Sequence, residues 1–111
     1  MANAGAVYSS RGEGVANEVG KRLIWFMGRE CPHCKQTRPV VERLIAETGV
    51  EITELEVWHN EENARFMRKL GDVISKACGG DLGVPSFFNE QTGKAICGRI
   101  SYEGLKKWAL G

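Results

Sequence analysis

Residues 23–34, Leu23-Ile24-Trp25-Phe26-Met27-Gly28-Arg29-Glu30-Cys31-Pro32-His33-Cys34, govern how the rest of the chain is read. Lys21 to Met27 predicts a buried strand, with five consecutive apolar residues that include a β-branched one, Ile24, and two aromatics. Gly28-Arg29-Glu30 makes a short loop. Cys31 and Cys34 then stand three apart where a helical pattern begins. On a helix rising about 1.5 Å per residue, α-carbons at i and i+3 lie about 5 Å apart, within the ~4.4–6.8 Å that a disulfide spans. The first helical turn also presents unpaired N–H groups and the positive end of the helix dipole, which favour a thiolate on Cys31. The pair therefore predicts a disulfide that can form and reopen.

Downstream, Cys34, Val40, Val41, Leu44 and Ile45 give an apolar stripe at helical spacing, and Gly49 suits the position just past the helix end. Pro39 lies inside this helix and predicts a kink near residues 36–38. Glu51 to Trp58 reads as a strand, with Thr53, Leu55 and Val57 on one side and Glu54 and Glu56 on the other. Asn60 is a good N-cap, followed by Glu61 and Glu62 in the first turn. Phe66, Met67, Leu70, Ile74 and Ala77 then form the apolar face of one helix ending at Gly79-Gly80, weakened at Gly71 by about 1 kcal/mol relative to alanine. Val84 to Phe88 and Lys94 to Cys97 read as a β-hairpin around Asn89 to Gly93. Ser101 caps a last helix burying Leu105, Trp108 and Ala109.

The element order, βαβ, then helix, then ββα, predicts a right-handed parallel crossover followed by an antiparallel hairpin. The fold class is α/β: one domain over residues 21–111, with a central mixed four-stranded sheet flanked by helices. Residues 1–20 form a Gly-rich, small and polar extension whose first nine residues are expected to be mobile. A short extra helix is one expectation for this segment. Val15 and Val19 lie one turn apart and Ser10 with Glu13 suits a capping box, but Gly12 and Gly14 oppose it.

A chain of 111 residues can bury one continuous core, and a net charge of +1 offers no reason to expect a nucleic-acid or membrane partner. No stretch approaches the ~18 apolar residues of a membrane span. Met1 to Tyr8 lacks the basic start and apolar region of a signal peptide, so the expected location is the cytoplasm, where thiols are kept reduced. A periplasmic location follows instead if a leader has been removed. Four cysteines are too few for a disulfide scaffold of this size and suit a catalytic pair plus two others.

Over about residues 21–110 the sequence resembles the thioredoxin-fold oxidoreductases. The resemblance rests on a strand followed by Cys31-Pro32-His33-Cys34 at a helix start, Pro39 five residues beyond, and Gly83-Val84-Pro85 opening a hairpin. It implies that Val84-Pro85 is a cis peptide facing the cysteine pair. Residues 26–34 look most like the opening of a glutaredoxin, and Ile96-Cys97-Gly98 resembles the strand end where two glycines approach glutathione, with Cys97 in the first glycine's place. Pro39 is more like thioredoxin. Pro32-His33 matches the periplasmic disulfide oxidases, whose large helical insertion has no room here. Thioredoxins also carry a buried aspartate six residues before the first cysteine, where this chain has Trp25.

The activity so implied is dithiol–disulfide exchange that reduces protein or low-molecular-weight disulfides. Cys31 attacks and Cys34 resolves the mixed disulfide. Pro32 and His33 tune the pair, and Val84 and Pro85 receive an extended substrate segment. No cofactor beyond the redox-active disulfide and no metal is expected. Electrons would return from a flavin-dependent disulfide reductase or from glutathione, and the protein would act as a monomer. The rival readings are a disulfide oxidase or isomerase in an exported protein, a non-catalytic binding module, and a zinc module. The last would use Cys31 and Cys34 with Cys78 or Cys97, or with His33 or His59. Cys78 and Cys97 read most simply as small buried apolar residues, with a regulatory disulfide or a third redox thiol as alternatives. Trp25, Trp58 and Trp108 read as packing residues, and Glu51, Glu54, Glu56, Glu61 and Glu62 as a solvated strand face and helix start.

Overall fold

The structure, a computed structural model, describes residues 6–7 and 20–111. Its elements in chain order are β1 (Ala6–Val7), β2 (Leu23–Met27), α1 (Pro32–Thr48), β3 (Ile52–Glu56), α2 (Glu61–Lys69), α3 (Gly71–Ala77), β4 (Ser86–Asn89), β5 (Lys94–Cys97) and α4 (Tyr102–Leu110). The sheet runs β1-β3-β2-β4-β5. β2 and β3 are parallel across the α1 crossover, and β4 and β5 add antiparallel strands beyond β2. These are the four expected strands. β1 makes a fifth at the outer edge, pairing antiparallel with β3 through Ala6 and Val7. The expected helix around Val15 and Val19 lies outside the described residues.

The apolar run of β2 is continuous because the strand is covered on both sides. Leu23, Trp25 and Met27 pack with Val41, Leu44, Phe87, Leu105 and Trp108 under α1 and α4. Ile24 and Phe26 pack with Leu55, Met67 and Ile74 under α2 and α3. Period-two alternation thus sends one strand's side chains into two cores. Trp25 stacks on Phe87 with centroids 6.0 Å apart, and Phe87 meets Trp108 edge-on at 5.4 Å.

α1 runs through Pro39, which stays exposed, and stops at Gly49, whose φ of 76° places it in the left-handed region. Its buried side chains, Cys34, Thr37, Val41 and Leu44, repeat at helical spacing.

The single helix expected from Glu61 to Gly79 is two helices. The Leu70 N–H donates to Met67 O at 3.0 Å, a tightened turn with ψ of 19°, and the ladder resumes where Ile74 N–H donates to Leu70 O. Gly71, a poor helix former, is the first residue after the break. The glutamates of residues 51–56 are not a solvated face either. Glu51, just before β3, is 4% exposed, Glu54 pairs with Arg38 at 2.6 Å, and Glu56 accepts three backbone N–H groups. Glu54 and Glu56 alternate with Thr53 and Leu55, and Leu55 packs on the α2 side, which leaves the two glutamates on the α1 side. Glu61 and Glu62 are exposed at the start of α2, as expected.

Candidate active site

The site is built at the end of the sheet where β2 stops and β4 begins. After Met27 the chain turns through Gly28-Arg29-Glu30, held by Glu56 at the end of the neighbouring strand. One Glu56 oxygen accepts from Arg29 N–H at 2.9 Å and Trp58 N–H at 3.1 Å, and the other accepts from His59 N–H at 2.8 Å. Glu30 meets His59 Nε2 at 2.7 Å. The His59 hydrogen bond holds the Glu30 carboxyl below its ordinary range, although the group is exposed. Glu30 is therefore a surface tie between two loops.

Cys31 is the N-cap of α1. Its backbone is extended (φ −73°, ψ 115°), and its sulfur accepts the Cys34 N–H at 3.1 Å. This is the capping bond that serine or aspartate makes at other helix starts, here directed at sulfur. Pro32 opens the helix without wasting a donor. Cys31 and Cys34 are joined as a disulfide with α-carbons 5.2 Å apart. Both are nearly covered, at 3% and 1% exposure, whereas Pro32 and His33 between them are exposed. The Thr37 hydroxyl donates to the His33 carbonyl at 2.8 Å and fixes the first turn.

Val84-Pro85 is a cis peptide, and the Val84 carbonyl oxygen lies 3.8 Å from Cys31 Sγ. The structure thus brings Cys31, Cys34, Val84 and Pro85 together as the resemblance implies. Among the described residues neither the N–H nor the carbonyl of Val84 pairs with another backbone group.

On the other side of the pair an open cleft of about 550 Å³ reaches Cys34 between α1 and β3, lined by Lys35, Arg38, Glu54, Glu56 and His59 among others. Trp25, at the position where thioredoxins keep an aspartate, is wholly buried with the Arg38 guanidinium 4.9 Å from its ring. The polar boundary of Cys34 is therefore this cleft. Sequence reading missed it because Glu54 and Glu56 look solvated. Their sharing a strand face with buried Ile52 was the available signal.

The remaining cysteines are not isolated buried residues. Cys78 and Cys97 form a second disulfide with α-carbons 5.1 Å apart. Among the described residues no group of three or more histidine, cysteine or acidic side chains is placed to hold a metal ion, and the two cysteine pairs do not converge on one point. No described helix is long and apolar enough to cross a membrane.

No protein-family model matches the chain, and no curated protein matches it. Among solved structures, a glutaredoxin from Archaeoglobus fulgidus superposes with a TM-score of 0.55, covering 80% of this chain and 86% of that one at 23% sequence identity. The chain has a glutaredoxin- and thioredoxin-like fold, with a C-x-x-C disulfide at the start of its first long helix.

Proposed function

We propose that this chain is a dithiol–disulfide oxidoreductase that reduces protein or low-molecular-weight disulfides. The observation that carries the reading is the placement of Cys31 Sγ, capped by the Cys34 N–H on one side and facing the Val84 carbonyl on the other. A free cysteine has a pKa of about 8.5 and is mostly thiol near neutrality. A charge-assisted N–H bond and the helix end both favour the thiolate at Cys31.

The Cys31 thiolate attacks one sulfur of a substrate disulfide and expels the other as a thiolate. Cys34 then attacks Cys31 Sγ, closing the Cys31–Cys34 bond and releasing the second substrate thiol, so two electrons pass from the pair to the substrate. The cleft beside Cys34 gives its proton a path to water. Val84 offers a backbone N–H and carbonyl to an extended substrate segment, and Pro85, with no N–H, does not compete. His33, exposed in the first turn, adds a cation near the thiolate when protonated and favours the reduced pair. We assign recharging to a flavin-dependent disulfide reductase or to glutathione, and the setting to the cytoplasm, with the protein acting as a monomer.

Titration of the Cys31–Cys34 pair against glutathione buffers, beside turnover of a disulfide peptide with each electron donor, tests this reading. The expected result is turnover that Cys31→Ser abolishes and a potential at or below the cytosolic poise of about −220 to −320 mV. A potential far above that range, with dithiol oxidation faster than disulfide reduction, would replace the reductase by the oxidase that Pro32-His33 suggests.

A further inference from the structure

The two disulfides lie at the same end of the sheet on opposite faces. β5 is antiparallel to β4 and places Cys97 opposite Ser86, and β4 in turn places Ser86 opposite Phe26 at the end of β2. Cys97 therefore shares the α2–α3 face with Ser86, and Cys78, at the C-cap of α3, reaches it there. The Cys31–Cys34 pair occupies the α1 face.

Between them runs Gly83-Val84-Pro85, touched from both sides. Cys78 Sγ lies 3.8 Å from Gly83 O, and a Cβ built on Gly83 would meet Cys78 Sγ at 3.7 Å and Cys97 Sγ at 3.8 Å. One residue later the Val84 carbonyl faces Cys31 Sγ at 3.8 Å. The residue after Cys97 closes the arrangement, since the Gly98 N–H donates to Pro85 O at 2.8 Å. Arg99 Nη1 then donates to Gln36 Oε1 on α1 at 3.3 Å. Accessibility separates the pairs: Cys78 and Cys97 are partly exposed, whereas Cys31 and Cys34 are buried.

We propose that Cys78–Cys97 is a second thiol–disulfide site, open to low-molecular-weight thiols of the glutathione class, that holds Gly83-Val84-Pro85 in place against Cys31. Its effect on substrate binding rests on the oxidoreductase reading above. Its own chemistry does not. One thiol, as thiolate, attacks a sulfur of the pair, breaking the Cys78–Cys97 bond and forming a mixed disulfide. A second thiolate displaces the protein sulfur. Cys78 and Cys97 end as two thiols carrying the two protons, and the small thiols leave as their disulfide, having supplied both electrons. With the bond open, Gly83 loses its fixed support, and the Val84 backbone is no longer held at the distance that lets a substrate strand pair beside Cys31.

The test uses the full chain with Cys31→Ser and Cys34→Ser, so that only the second pair titrates and no activity is needed. Thiol alkylation against glutathione buffers follows opening, and amide hydrogen exchange follows the backbone. Exchange at Gly98, whose N–H is bonded to Pro85 O, and at Ser86 is expected to rise about tenfold on opening while amides of β2 and β3 stay protected. Exchange at Gly98 and Ser86 that stays within about twofold overturns the proposal, and so does a rise spread evenly over the whole sheet, which would make the bond a general staple. A pair that glutathione never opens overturns it too. Failure of the oxidoreductase reading would appear separately, as absent turnover in the chain that retains Cys31 and Cys34.

Discussion

Gly28 lies beneath the indole of Trp58, and a Cβ there would come within 2.3 Å of the Trp58 ring. That contact explains why a half-exposed tryptophan has a fixed place: its ring covers the loop that delivers Cys31, while Glu56 ties the same loop from below. Gly28→Ala must push the ring aside, with an expected loss of about 1–3 kcal/mol in denaturant unfolding. Trp58→Ala in the same chain is expected to recover most of that loss, because the clash disappears with the ring. Recovery of nothing would place the cause in the backbone of Gly28 instead. Neither residue was legible as a partner of the other, since they are brought together by the parallel register of β2 and β3, which sets Met27 beside Glu56.

The elements divide into those whose ends are written locally and those shaped by tertiary contacts. Asn60, Ser101 and Gly49 act at the helix ends where the sequence places them, because capping depends on neighbours within a turn. The break between α2 and α3 was not legible, since the apolar spacing continues across it and a single glycine looks tolerable. A Cβ on Gly71 would meet only Leu82, at 4.0 Å, and the residue has no positive φ. Gly71→Ala is therefore expected to raise stability by about 0.5–1 kcal/mol, read from the denaturant midpoint, without fusing the helices.

At the opposite end of the sheet, Glu90 fastens the turn after β4 to the start of β2. One of its oxygens accepts from Gly20 N–H, Arg22 N–H and Arg22 Nε. Burial alone would raise the Glu90 pKa, but the Arg22 side-chain and backbone hydrogen bonds outweigh it and leave the carboxyl below its ordinary range. Unfolding at low pH then takes up a proton. The contribution is fully present above the unfolded value of about 4.3 and is lost as pH falls through the lower folded value. Glu90→Gln is expected to cost stability at pH 7 and to cost progressively less as the pH drops below about 4, measured by urea unfolding across that range. A cost that does not change with pH would remove the charge from the explanation.

For the molecule as a whole, the sheet and the Cys31–Cys34 pairing beside Val84-Pro85 were legible because their signals are local and reinforce one another. The apolar run of β2, the cysteine spacing, Pro32 at the helix start and Val84-Pro85 before a hairpin each constrain the same end of one sheet. What escaped depends on long-range geometry. Cys78 and Cys97 are 19 residues apart, and nothing in either neighbourhood indicates a pairing. It arises only once α3 folds over β5 and the β4–β5 register turns Cys97 to that face. The two-residue strand Ala6–Val7 is likewise too short to carry a pattern. In this molecule one end of the sheet holds two cysteine pairs, with the segment proposed to receive substrate between them.

The most direct test of the assigned chemistry is trapping. Reduced Cys34→Ser protein mixed with a disulfide peptide should accumulate a stable mixed disulfide that peptide mapping places on Cys31, whereas Cys31→Ser should accumulate none on Cys34. An adduct on Cys34 in the second variant, formed as fast as that on Cys31 in the first, would contradict the assignment of Cys31 as the attacking thiolate.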